Sequence, residues 1–136
     1  MSTTTRPATR VSARTPVAAV LGATAAAAAI WAVVTTAGAD LTVGFNSGTP
    51  IKITVVNVVV VALLASLAGW GLLGLLRRFT AKARAVWTVT AIVAALLSLG
   101  GPLSATASAG TKVSLVAMHL AVATVLIAVL RRTTRR

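Results

Sequence analysis

The chain has no cysteine and only one acidic residue, Asp40, in 136 positions. Without cysteine there is no disulfide, no thiolate metal ligand and no thiol redox chemistry. One carboxylate supplies no general acid–base pair. It also lies outside every long apolar run, so an antiporter that moves protons through a membrane-embedded Asp or Glu has no residue to do so. The single histidine, His119, cannot hold a metal without other strong ligands. A His-Glu-x-x-His pair, a phosphate-cradling Gly-rich lysine motif and a Ser-His-Asp set of credible spacing are all missing. These absences predict a chain that is not an enzyme and carries neither cofactor nor metal.

What remains is apolar surface and arginine. The composition is 57% hydrophobic, with 13 Lys and Arg and a net charge of +12, which rules out an ordinary soluble surface. A charge of that size also suits nucleic acid. Its placement argues otherwise. Arg6, Arg10 and Arg14 form one group, Arg77, Arg78, Lys82 and Arg84 a second, and Arg131, Arg132, Arg135 and Arg136 a third. These groups bracket four apolar runs, while the two other linkers hold only Asp40, Lys52 and Lys112. Linkers that alternate between heavy and light positive charge follow the positive-inside rule. The pattern predicts a multi-pass protein of the cell (cytoplasmic) membrane whose arginines meet anionic headgroups on the cytoplasmic face, not nucleic acid.

The chain reads as one membrane domain, 15–132, between a disordered basic cytoplasmic tail, 1–14, and a short basic cytoplasmic tail, 133–136. The spans fall at about 17–37, 53–76, 86–103 and 113–130. The first holds 21 uncharged residues, roughly 31 Å of helix. Three arginines before it and Ala37-Gly38-Ala39 at its end also fit a cleaved signal peptide. The run exceeds the roughly 7–15 residues of a signal core, so a retained helix is expected. The second run is rich in valine and would lean toward strand in water, but in lipid only a helix satisfies the backbone of an isolated span. Gly100-Gly101-Pro102 is expected to bend or stop the third helix, and Gly38 to Pro50 reads as the longest outer loop. The expected fold is all-α: a transmembrane four-helix bundle, up-down-up-down, with N-terminus and C-terminus in the cytoplasm.

Helices in lipid associate through small residues and occasional polar contacts. The packing candidates are Gly22, Ala26 and Ala29 on the first helix, Ala68 and Gly71 on the second, and a stripe of Ala117, Ala121, Thr124 and Ala128 on the fourth. Trp70 and Trp87 flank the arginine-rich linker as interfacial anchors. An ionisable residue within a span is a functional candidate by default, and this chain offers His119. Asn57 in the second span and Ser98 in the third share its depth, and Asp40 lies above them in a loop, as a cap or a partner of Lys52. This layer reads either as an interhelical hydrogen-bond clamp or as a small polar chamber open to the outside. His119 projects nearly opposite the alanine stripe, so the two face different neighbours.

Several short segments carry a family resemblance: Asp40-Leu41-Thr42-Val43, Leu67-Ala68-Gly69-Trp70-Gly71-Leu72-Leu73, Val86-Trp87-Thr88, Leu97-Ser98-Leu99-Gly100-Gly101-Pro102-Leu103 and Met118-His119-Leu120-Ala121-Val122-Ala123. In order and spacing the chain resembles a family of small four-helix membrane proteins of unknown function from actinobacteria. The resemblance implies four spans in the cytoplasmic membrane and brings no activity with it. By length the chain is also similar to small multidrug exporters and fluoride channels. It lacks the embedded glutamate of the former and a motif of the latter.

Two functions follow as expectations. One is a structural, accessory or regulatory membrane subunit that works through helix–helix contacts with a protein partner or with copies of itself. The other is a small oligomeric transporter or channel built on the His119 and Asn57 layer.

Overall fold

A chain this apolar makes helix wherever lipid leaves its backbone no other hydrogen-bond partner. The computed structural model describes residues 14–45 and 48–132. It holds α1 (Arg14–Thr36), β1 (Thr42–Val43), β2 (Ile51–Lys52), α2 (Val55–Phe79), α3 (Ala83–Ser98), α4 (Gly100–Ser104) and α5 (Ala109–Arg132). With α3 and α4 taken as one length from Ala83 to Ser104, four helices are long and apolar enough to cross a membrane. Among the described residues the chain is all but wholly helical, and by length and composition its four long helices are those of a multi-pass membrane protein. The expected tails, 1–14 and 133–136, lie outside the described residues except for Arg14, the first residue of α1.

Local chemistry sets the helix ends. Pro16 stands in the first turn of α1, where its missing N–H costs no hydrogen bond. At the other end Gly38 takes φ +87°, with Gly38 N–H donating to Thr35 O and Ala39 N–H to Val34 O. This is the Schellman closure, and it uses the Ala37-Gly38-Ala39 segment as a helix end. Within α1 the hydroxyls of Thr24, Thr35 and Thr36 donate to carbonyls one turn back, at 2.9, 2.7 and 2.8 Å, so none needs a distant partner.

α2 opens with a reciprocal cap: Thr54 Oγ1 accepts the Asn57 N–H, and Asn57 Oδ1 accepts the Thr54 N–H. Gly100-Gly101-Pro102 does not stop the third span. The ladder breaks for one residue at Leu99 and resumes to Ser104, because Pro102 falls in the first turn of α4 and needs no N–H donor there. α5 opens at Ser108, whose Oγ accepts the Thr111 N–H at 3.2 Å.

The segment read as an outer loop contains a small antiparallel pair, with Thr42 opposite Lys52 and Val43 opposite Ile51. Gly44 bridges to Thr106, between α4 and α5. Thr111 Oγ1 donates to Asp40 O at 3.0 Å, and Trp31 Nε1 donates to Ile53 O at 3.0 Å. These bonds gather the end of α1, the start of α2, the end of α4 and the start of α5 at one pole, the hairpin end. Leu41 and Val43 point inward there, each 1% exposed.

Two apolar clusters hold the helices together. Ala27, Leu41, Val58, Ala62 and Met118 pack near the hairpin end. Ala19 and Ala23 of α1, Leu73 of α2, Trp87 of α3, and Leu126 and Leu130 of α5 pack near the arginine end. The α1 stripe that packs is therefore Ala19, Ala23 and Ala27. Of the residues expected to pack there, Gly22 and Ala29 are exposed and Ala26 is half-buried.

Candidate functional site

α3 is held chiefly at its two ends. Near the arginine end Trp87 is buried, and its Nε1 donates to Gly69 O at 2.8 Å. Near the hairpin end Pro102 is buried, and Lys112 Nζ donates to Leu103 O at 3.2 Å. Between these points α2 presents Ala65, Ala68 and Gly69, and α3 presents Ala91, Ala94 and Ala95. Side chains this short cannot close the gap, and a half-open cavity of about 700 Å³ runs between α2, α3 and α5. That volume lies in the range of small-molecule sites, as does a mostly apolar wall with a few polar groups.

Asn57, Thr90, Ser98 and His119 are the polar side chains on this wall, all but Thr90 toward the hairpin end. Trp87 and Leu126 close the opposite end. Asn57, Ser98 and His119 have each already met one need of their own helix. Asn57 Oδ1 accepts from Thr54 N–H at 3.0 Å and from Thr54 Oγ1 at 2.6 Å, which leaves its NH₂ as the unused half. His119 Nδ1 lies 2.8 Å from Leu115 O. A carbonyl only accepts, so Nδ1 carries the hydrogen, and in that uncharged tautomer Nε2 is an acceptor. Ser98 Oγ donates to Ala95 O at 2.7 Å and keeps its lone pairs.

The structure thus brings Asn57, Ser98 and His119 onto one cavity wall. No hydrogen bond joins any two of them among the described residues. Asp40 stands apart, exposed in the loop, with Oδ1 accepting from Thr42 Oγ1 at 2.9 Å and lying 4.0 Å from Lys52 Nζ. Ala68 lines the cavity, whereas a Cβ at Gly71 would meet nothing within 4 Å. Ala117 and Ala121 are half-buried, and Thr124 and Ala128 on the same stripe are exposed. Trp70 is half-buried, while Trp87 sits in the core at 2% exposure instead of facing lipid.

Thr90 and the hairpin residue Phe45 also line the cavity and were not anticipated. The spacing of Trp87, Ala91, Ala94 and Ser98 does mark one face of α3, and Thr90 lies beside it. Nothing in the sequence ties Phe45 to that face. Ser66, 0% exposed on α2, has an Oγ without a hydrogen-bond partner among the described residues. It does not line the cavity. No group of three His, Cys, Asp or Glu side chains gathers among the described residues.

No curated protein and no solved structure matches the chain. One family model does, and it spans residues 7–136. The chain with its half-open apolar cavity belongs to DUF6069, a family of unknown function.

Proposed function

We propose that this chain is an accessory or regulatory subunit of the cytoplasmic membrane of an actinobacterium, working through helix–helix contacts and without catalysis of its own. In this reading the helices run up-down-up-down with both termini in the cytoplasm. The arginines that end α2 and α5, Arg77, Arg78, Arg131 and Arg132, lie against anionic headgroups. The observation that carries the reading is the outer face of α2. Cβ atoms added at Gly71 and Gly74 would meet nothing within 4 Å, and the neighbouring Leu67 and Leu75 are about half exposed. Small residues between larger apolar ones let a second helix approach closely in lipid.

The test is native mass spectrometry of the chain extracted from its own membrane in mild detergent. A stoichiometric second polypeptide, or a defined homo-oligomer, is expected, and Gly71→Leu is expected to release it without loss of helix by circular dichroism. A lone monomer that Gly71→Leu leaves unchanged would count decisively against the proposal.

One observation favours a second reading, a small oligomeric transporter or channel: Asn57, Ser98 and His119 share a cavity. Ion flux in liposomes would then fall in His119→Ala and in Asn57→Ala. Flux no greater than that of protein-free liposomes for the unaltered chain would sink it.

A further inference from the structure

We infer that the cavity between α2, α3 and α5 is a binding site for a neutral single-chain lipid with a hydroxyl head. Its tail lies toward Trp87, and its head sits between Asn57 and His119. The inference is independent of the accessory reading and rests on the polarity of the wall. From Ser98 to Trp87 the cavity follows α3 for eleven residues, roughly 16 Å at helical rise, past alanines and a glycine. That stretch offers one hydroxyl, Thr90, and otherwise apolar surface, so it suits a chain of methylenes. The cavity is half-open, so a guest has a way in.

The head group follows from which atoms are already used. Asn57 has committed its oxygen to Thr54 and retains the NH₂ donor. His119 has committed Nδ1–H to Leu115 and retains the Nε2 acceptor. A guest that meets both must accept one hydrogen bond and donate another, and a hydroxyl is the smallest group that does both. No Asp, Glu, Lys or Arg side chain lies on the wall among the described residues, so an ionised head would be desolvated without a counter-charge. A hydroxyl incurs no such penalty once both bonds form.

The test uses the full chain carrying Trp31→Phe and Trp70→Phe, so that Trp87 alone fluoresces. The probe is dodecanol with bromine at its methyl end. The expected result is saturable quenching of Trp87, weakened roughly 3- to 10-fold by His119→Leu, the size of one hydrogen bond. Brominated dodecane, which has no hydroxyl, should bind more weakly and ignore the His119 change. Ala94→Leu, at an exposed position on the wall, should abolish the saturable phase while helix content stays constant.

Equal binding of alkane and alcohol would overturn the assignment of the head. Tighter binding of a brominated fatty acid or phospholipid would overturn its neutrality. Quenching that never saturates would overturn the site. The unaltered chain gives a second readout: dodecanol with a tail-end diazirine should label residues near Ala91 and Leu126. Label confined to outward residues such as Leu96 and Leu97, 62% and 75% exposed, would overturn the site as well.

Discussion

α1 and α3 are both apolar and alanine-rich, yet they are held in opposite ways. α1 buries Ala19, Ala23 and Ala27 along its length, at 0%, 0% and 2% exposure. α3 buries only Ala83 and Trp87, both within its first two turns. The difference lies in what the small residues face. The α1 alanines meet Leu73, Leu126, Leu130 and Met118, whose side chains fill the space that close approach leaves. The α3 alanines face Ala65, Ala68 and Gly69 of α2, so small meets small and a cavity remains. In this protein the small residues of α1 pack tightly because large side chains fill the space beside them. Where α2 and α3 are both small and are held apart at their ends, a cavity remains.

The strongest way to break this comparison is to remove the one large side chain that pins α3. Trp87→Ala deletes a fully buried indole and its bond to Gly69 O, and should destabilise the protein by about 3 kcal/mol. SDS-induced unfolding in mixed micelles, followed by circular dichroism, measures this. A loss below about 1 kcal/mol would mean that α3 is held elsewhere.

A matched pair sharpens the contrast. Ala23→Leu forces three more carbons and a branch into a site with no exposed surface and should cost about 1–3 kcal/mol. Ala94→Leu adds the same atoms over the cavity and should change stability by no more than about 0.5 kcal/mol. Equal costs at the two positions would show that α3 packs as closely in the membrane as α1 does.

How much of this was legible beforehand divides along physical lines. The four spans were, because hydropathy and length decide a membrane helix and each run is long enough to show both. The sequence puts Asn57, Ser98 and His119 at one depth, because helical rise fixes depth once the helix ends are aligned, but it does not say that they line one cavity. The role of Asn57 was not legible. The apolar run begins at Ile53, which places Asn57 inside a span, whereas α2 begins at Val55 and makes Asn57 its third residue and part of the cap. The pattern Thr54-x-x-Asn57 held that information.

The hairpin was hidden by its surroundings. Leu41 and Val43 alternate inward about Thr42, but two residues per strand is too short a period to stand out among Gly, Asn, Ser and Pro. The cavity was not legible at all. It depends on which alanine stripe faces which, and a single helix does not state its partner.

The smallest effects concern the pole where α1 is tied to α5, and they ask whether charge or buried hydrogen bonding makes that tie. Asp40 and Lys52 form the ion pair that the sequence suggests, yet they stand 4.0 Å apart with side chains 73% and 76% exposed. Water and salt screen such a pair, and Asp40→Asn should cost no more than about 0.5 kcal/mol, with no dependence on added salt. The Thr111 hydroxyl is a different case. Thr111 is 2% exposed, and its Oγ1 donates to the Asp40 carbonyl, a backbone atom that Asp40→Asn leaves in place. Thr111→Val removes that donor, strands the carbonyl and should cost about 1 kcal/mol. If the two substitutions reverse in rank in the same unfolding experiment, α1 is held at this end by charge, and the close packing of Ala19, Ala23 and Ala27 is not sufficient to seat it.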